Sequence, residues 1–476
     1  MLVARGLGPE QFGKMMFLLG TFTAVRQLFD LGSSTAFFTF LSQRQRGRRF
    51  VSWYLVWLGL QFLLTLVAVG IIFPAPWIEL IWRGEQRPLV ILAFLAAYTQ
   101  SVLWSVMLQM GESQRLTRWV QGVSVAVALV HCLLIALAWW GGWLSVGTVL
   151  TLMTIEWFIA AAIIAKQLRF PKVQQEDDTP KSILAEFWQY CTPLIPYSCL
   201  GFGFEFADRW LLQTYAGSVQ QAYYAVAFQF GAIVSVATSS VLNIFWKEIA
   251  EAHHHNNHER VAFLYRRVSR GLFFVAAFGA GFLIPWAEHI LLITMGPAYV
   301  GGTATLMIMF LYPLHQSMGQ IGGTLAYATG RISVYVQIVM VFMISSIGVT
   351  YFLLADKEAL LPGLQLGSLG LASKMVVMQI LVVNALAFYL SRSLAIKFDW
   401  LFQLATTFSC GVAGLLAYSV SHYLFDVSVQ IGLALLSAGL LYAMFMLALI
   451  CFSPSLAGLS KADLVTAAQR LRLIRL

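Results

Sequence analysis

Uncharged apolar runs recur along the whole chain, Phe50 to Phe73 and Trp119 to Trp140 among them. Each meets the roughly 20 residues needed to cross the hydrocarbon core of a bilayer as a helix. With 59% hydrophobic and only 11% charged residues, the composition excludes an ordinary soluble domain. The runs and their charged punctuation predict an all-α polytopic membrane protein with about thirteen spans. These lie near 14–41, 50–73, 89–110, 119–140, 144–165, 187–212, 221–246, 271–293, 302–328, 332–354, 369–390, 400–421 and 429–452. Pro193, Pro196, Pro285 and Pro313 are expected to kink or end their helices.

Lys and Arg sort the loops. Alternate loops and the C-terminal tail collect 22 of the 30 basic residues, including Arg44, Arg46, Arg48, Arg49, Arg118, Lys247 and Arg331. Only Arg83, Arg87 and Lys357 fall in the intervening loops, so the positive-inside rule makes the first face, and the C-terminus, cytoplasmic. The same distribution accounts for the net charge of +9, with attraction to anionic lipid and no nucleic-acid partner. Thirteen spans with an inner C-terminus place Met1 outside, yet no signal peptide precedes it. The expectation is that a first helix is missing from this chain and that the complete fold has fourteen.

The chain resembles itself. LGPEQFGKMMFLLGTFTAV from Leu7 aligns with AGSVQQAYYAVAFQFGAIV from Ala216 at an offset of 209 residues. Two parallel-related helical bundles follow, as in transporters built from two repeats around a central site. The organisation expected is an N-terminal bundle over 1–166, a cytoplasmic linker over 167–182 and a C-terminal bundle over 183–390. Two further helices over 391–459 and an amphipathic inner-surface tail over 460–476 complete it.

Ionisable residues inside spans are costly and usually face a bundle interior or a water-filled space. Arg26 and Asp30 lie four apart and can pair, either lining a cavity or locking the structure. The stretch GFGFEFADRW places Glu205, Asp208 and Arg209 together, as cavity lining or as a structural ion pair. Glu156 stands alone in sequence and calls for protonation or a partner on another helix. Glu156 and Asp208 are therefore candidates for a coupling ion, proton or sodium. Lys374 is expected to snorkel to the surface, and His131 and His315 to make interhelical hydrogen bonds. Cys132, Cys191, Cys199, Cys410 and Cys451 read as small packing residues, and HHHNNHER from His253 as a solvated loop, so no metal or other cofactor is expected. Trp77, Trp82, Trp139, Trp140 and Trp143 read as an outer interfacial belt.

ARGLGPEQFGKMMFLLGTFTAVRQLFDLGSSTAFFTFLSQ resembles the entry to the second helix of the polysaccharide-exporting branch of the multidrug, oligosaccharidyl-lipid and polysaccharide (MOP) flippase superfamily. FADRWLLQTYAGSVQQAYYAVAFQ, the run from Phe245 to Glu251, LAYATGRISVYVQ and LGSLGLASKMVVMQI match it further, in the expected order. The resemblance implies a V-shaped transporter that flips an undecaprenyl-pyrophosphate-linked oligosaccharide across the bacterial cytoplasmic membrane. It implies lipid-linked oligosaccharide and membrane lipids as partners, with polysaccharide polymerase and chain-length machinery beyond them. An acid-rich set of intramembrane charges also suits a cation or drug antiporter of the same superfamily. A membrane polymerase or ligase fits less well, since the longest outer loops, 74–88 and 355–368, are only about fifteen residues long.

Overall fold

A computed structural model describes all residues except 44–45, 171–178, 256, 395–399, 426, 460–468 and 470–476, and leaves undescribed the side chains of 234–244, 246–247, 250, 254 and 427–429. Half of the expected linker, and almost all of the expected amphipathic tail, therefore fall outside the described residues. Described residues form helices and turns and no strand. In chain order the α-helices are α1 Leu2–Asp30, α2 Ser33–Gln43, α3 Arg48–Val67, α4 Ala75–Trp82, α5 Arg87–Ala97 and α6 Trp104–Ser113. They continue with α7 Thr117–Trp140, α8 Val146–Gln167, α9 Pro180–Cys191, α10 Ile195–His254, α11 His258–Leu283 and α12 Ala287–Thr294. The last are α13 Thr303–Met309, α14 Tyr312–Ala328, α15 Ile332–Leu354, α16 Gly367–Leu394, α17 Trp400–Leu424 and α18 Val427–Phe452.

Among the described residues, nine helical stretches are long and apolar enough to span a membrane, and α11 with α12, bent by 75°, makes a tenth. These ten coincide with ten of the predicted spans. The other three, 14–41, 187–212 and 221–246, are helical and fall on α1, α2, α9 and α10; α1 ends at Leu31, charged residues interrupt the first two, and 221–246 is uncharged but includes residues whose side chains are not described. The prolines act as their ring chemistry requires. Pro193 sits in a 3-10 turn, Pro196 and Pro313 lie in the first turns of α10 and α14, and Pro285 sits at the bend after α11. Only 17% of the apolar stretch beginning at α3 and 11% of that in α7 is buried, and the rest exposes residues such as Val56, Leu63, Leu129 and Leu133. Such helices, apolar all round yet uncovered, are suited to lipid rather than water.

The chain folds into two compact units that are not contiguous in sequence: 1–222 with 343–367, and 223–342 with 368–476. In the first, an aromatic cluster joins α2, α3 and α9, with Phe37 stacked on Tyr54 at 3.9 Å and Phe187 edge-on to Phe40 at 5.3 Å. Arg46 is drawn into it, 4.5 Å over the Phe50 ring and paired with Glu186. It is thus buried, within the loop that the charge distribution places on the cytoplasmic face. In the second unit, α11 crosses α17 where neither helix carries a side chain. A Cβ on Gly281 would lie 2.5 Å from the Cys410 carbonyl oxygen, and one on Gly414 would lie 2.7 Å from the Gly281 carbonyl carbon. Small residues let membrane helices approach backbone to backbone. Cys410 is buried in this crossing, whereas Cys132, Cys199 and Cys451 are exposed.

The internal repeat has a backbone signature. Gly8 (φ 72°, ψ 168°) and Gly217 (φ 80°, ψ −179°) are the non-helical residues inside α1 and α10, and they stand at the aligned positions of the two repeated stretches. Both adopt a region open essentially to glycine alone, so each repeat enters its long helix through the same break.

Candidate intramembrane site

Within the first unit, α1 and α10 run antiparallel along a seam of glycines. A Cβ on Gly13 would lie 2.6 Å from the Ser218 carbonyl carbon, one on Gly20 3.1 Å from Arg209 Nε, and one on Gly201 against the Gln27 amide oxygen. The first glycine of GFGFEFADRW thus clears room for the side chain that satisfies its first charge. Gln27 Nε2 donates to Glu205 Oε1 at 2.6 Å. The second acid, Asp208, is 5% exposed and accepts from Thr350 Oγ1 at 2.8 Å, so α15 closes the site from a third side. Arg209 lies along α1 with its stem against Gly20. A neutral amide and a hydroxyl, neither of them singled out by charge, therefore hold the carboxylates that sequence reasoning placed here. Their signal is weak, because Gln and Thr in an apolar helix are far commoner than ionised groups.

Arg26 and Asp30 share a face of α1, but among the described residues they form no ion pair. Asp30 instead accepts from the Ser34 amide at 2.9 Å and from the Ser33 and Ser34 hydroxyls at 3.1 and 2.9 Å. It ties down the start of α2, the role a short acid performs at a helix N-terminus. Arg26 turns toward α3 and α5, where with Gln61, Thr65, Tyr98 and Ser101 it lines a cavity of about 30 Å³, room for a single water.

Glu156 finds its partner on the neighbouring helix. His131 Nδ1 lies 2.7 Å from Glu156 Oε2, while Glu156 Oε1 is buried without a protein partner among the described residues. Such a pair can exchange a proton without exposing a bare charge to hydrocarbon. His315, in the second unit, meets Gln403 at 3.0 Å. Two expectations are overturned. Lys374 is 1% exposed, buried rather than snorkelled to a surface. Trp82 belongs to no interfacial belt: it is 3% exposed, stacks on Phe22 at 5.6 Å and donates its indole N–H to Thr21 Oγ1 at 3.1 Å. The left-handed cap at Arg83 ends α4 and leaves Trp82 on its buried side. Trp77, Trp139, Trp140 and Trp143 remain exposed.

No curated protein matches the chain at a significant level. Among solved structures, the fold is similar to that of "Lipid II flippase MurJ, inward closed conformation", with TM-score 0.68 and 14% identity over 94% of this chain and 95% of that one. It is also similar to an inward-facing multidrug resistance MATE family transporter of the MOP superfamily, with TM-score 0.61 and 14% identity over 83% and 94% of the two chains. A third likeness is to a MOP superfamily transporter from Pyrococcus furiosus, with TM-score 0.53 and 13% identity over 83% and 90%. The architecture is therefore the all-helical MOP transporter fold. The family model described as "Polysaccharide biosynthesis protein" matches residues 1–245, slightly more than half of the sequence, and the chain belongs to that family.

Proposed function

We propose that this protein flips an undecaprenyl-pyrophosphate-linked oligosaccharide repeat unit from the inner to the outer leaflet of the bacterial cytoplasmic membrane, for surface polysaccharide synthesis. A lipid-linked sugar cannot cross unaided, because desolvating a pyrophosphate and many hydroxyls in hydrocarbon is prohibitive. The observation that carries this reading is the polar seam of a polysaccharide-family chain: Gln27, Glu205, Asp208, Arg209 and Thr350 gathered from three helices, α1, α10 and α15. Arg209 supplies a cationic group for the diphosphate, and Glu205 and Asp208 position hydroxyls or titrate. The likeness of the fold to that of a lipid II flippase supports a lipid-linked cargo here. Alternating access is driven by a proton or sodium gradient, with Glu156, held by His131, or Asp208 as the coupling group. The C-terminus is cytoplasmic, and polymerase and chain-length machinery act downstream of the flipped lipid.

The experiment is mass spectrometry of undecaprenyl-linked sugars, resolved by leaflet, in cells with and without the gene. Build-up of a completed repeat unit on the inner leaflet supports the flippase, whereas an unchanged lipid pool overturns it. A second reading, a cation antiporter, is favoured by the excess of acids over bases among Asp30, Glu156, Glu205, Asp208, Arg26 and Arg209.

A further inference from the structure

The α4–α5 turn carries a second polar site where it meets the Gly13–Ser218 end of the α1–α10 seam. A cavity of about 600 Å³ opens there, its polar wall formed by Lys14, Arg83, Glu85, Gln86, Gln213 and Ser218, and every residue lining it belongs to the first unit. That volume falls in the ordinary range for small-ligand sites and is far larger than a lone phosphate requires. Arg83 is held in place: its backbone is left-handed (φ 53°) and its guanidinium lies 5.1 Å over the Trp210 ring, whose own N–H is committed to the Leu80 carbonyl at 3.3 Å. Lys14 forms an ion pair with Glu10 at 3.3 Å. Gln213 donates to the Ser218 hydroxyl at 2.8 Å, and its own amide oxygen, buried, has no protein donor.

With Lys14 paired to Glu10, Arg83 is the wall cation with no carboxylate at ion-pair distance among the described residues, and it is set among amides and a hydroxyl. A diphosphate, with its higher charge, would meet the Glu85 carboxylate as a repelling neighbour. A single carboxylate on a polyhydroxylated ring meets a balancing cation and acceptors for its hydroxyls. We propose that this cavity binds a sugar bearing one carboxylate, a uronic acid of the cargo glycan, through Arg83 and Lys14 with Glu85 accepting from ring hydroxyls. By the distribution of loop charges the turn lies on the outer side, so the site holds the glycan as it emerges. This rests on the flippase reading, whose substrate class it makes specific. Burial pushes the Glu85 carboxyl above its usual range, while Lys14 beside it pulls the other way.

The test is isothermal titration of the full chain in phosphatidylcholine nanodiscs with a glucuronate-containing disaccharide, with maltose as its neutral counterpart, and with inorganic pyrophosphate. The uronate disaccharide is expected to bind roughly tenfold more tightly than either. Arg83→Gln, an exposed position, should weaken the uronate about tenfold and leave maltose unchanged, and Glu85→Gln should strengthen it. Uronate binding no tighter than maltose, tighter binding of pyrophosphate, or indifference to Arg83→Gln each overturns the proposal. Leaflet redistribution of the lipid-linked sugar is measured separately. Flipping without uronate binding removes this site alone, whereas uronate binding without flipping leaves the site and removes the flippase reading.

Discussion

Gly13→Ala isolates the packing of α1 on α10 from everything else in the first unit. The new Cβ would lie 2.6 Å from the Ser218 carbonyl carbon, nearer still to its oxygen, and 3.1 Å from the Ala222 nitrogen. All of these are backbone atoms, so no rotamer change relieves the clash, and the helices must part by about 1 Å to restore van der Waals contact. Overpacking of this kind costs about 1–3 kcal/mol, and the rigid neighbours argue for the upper end. Replacing a helical glycine by alanine returns about 1 kcal/mol, leaving a net loss of roughly 2 kcal/mol. Gly59→Ala is the control, since a Cβ there meets nothing within 4 Å and only the favourable contribution remains. Thermal unfolding of the purified protein in detergent, followed by cysteine-reactive dye, should show Gly13→Ala melting several degrees below the parent and Gly59→Ala at or above it. Equal melting of the two variants would refute the close α1–α10 approach.

Gly20→Ala meets the flexible Arg209 side chain rather than backbone, so it should melt near the parent but lower the rate of lipid-linked sugar translocation, the two being compared on one preparation. Thr350→Val removes the hydroxyl donor to Asp208 while keeping the side chain's shape, and should cost about 1–3 kcal/mol by the same melting assay. Glu156→Gln should leave expression and melting largely intact and abolish stimulation of transport by an imposed proton gradient in proteoliposomes. Because burial raises Glu85, it takes up its proton at a higher pH than an ordinary carboxylate, so the α4–α5 cavity becomes more positive on acidification. With Lys14 and Arg83 unchanged and the uronate still ionised, titration calorimetry should show tighter uronate binding at the lower pH.

The helices were readable from apolar runs because a membrane span must be long and nearly uncharged, and the repeat was readable because Leu7 and Ala216 introduce similar stretches. The alignment even put Gly8 opposite Gly217, the two positions where the long helices break. What escaped was set by tertiary packing. Arg46, Trp82 and Lys374 each have a side chain that is apolar along much of its length and polar at its tip, so burial and surface placement are equally consistent with their sequence positions. Asp30 was read against Arg26 four residues before it, when the hydroxyls and amide just after it were the nearer donors. The His131–Glu156 pair did carry a signal. Each residue lies about ten positions from the turn joining α7 to α8, and at 1.5 Å per residue an antiparallel hairpin sets them at the same depth. Gln27 and Thr350 left no comparable trace, because uncharged polar residues at large sequence separation announce neither their depth nor their partner.

Translocation of a lipid-linked glycan can be measured in proteoliposomes. The purified chain is reconstituted with undecaprenyl-pyrophosphate oligosaccharide, and the fraction of glycan open to a membrane-impermeant glycosidase is followed over time under an imposed ion gradient. The account predicts that nearly all of the glycan becomes accessible with the intact chain, while only the fraction initially in the exposed leaflet is accessible without protein, with Arg209→Ala slowing the conversion. An accessible fraction that stays at the protein-free level, in vesicles where the chain is demonstrably folded, would contradict it.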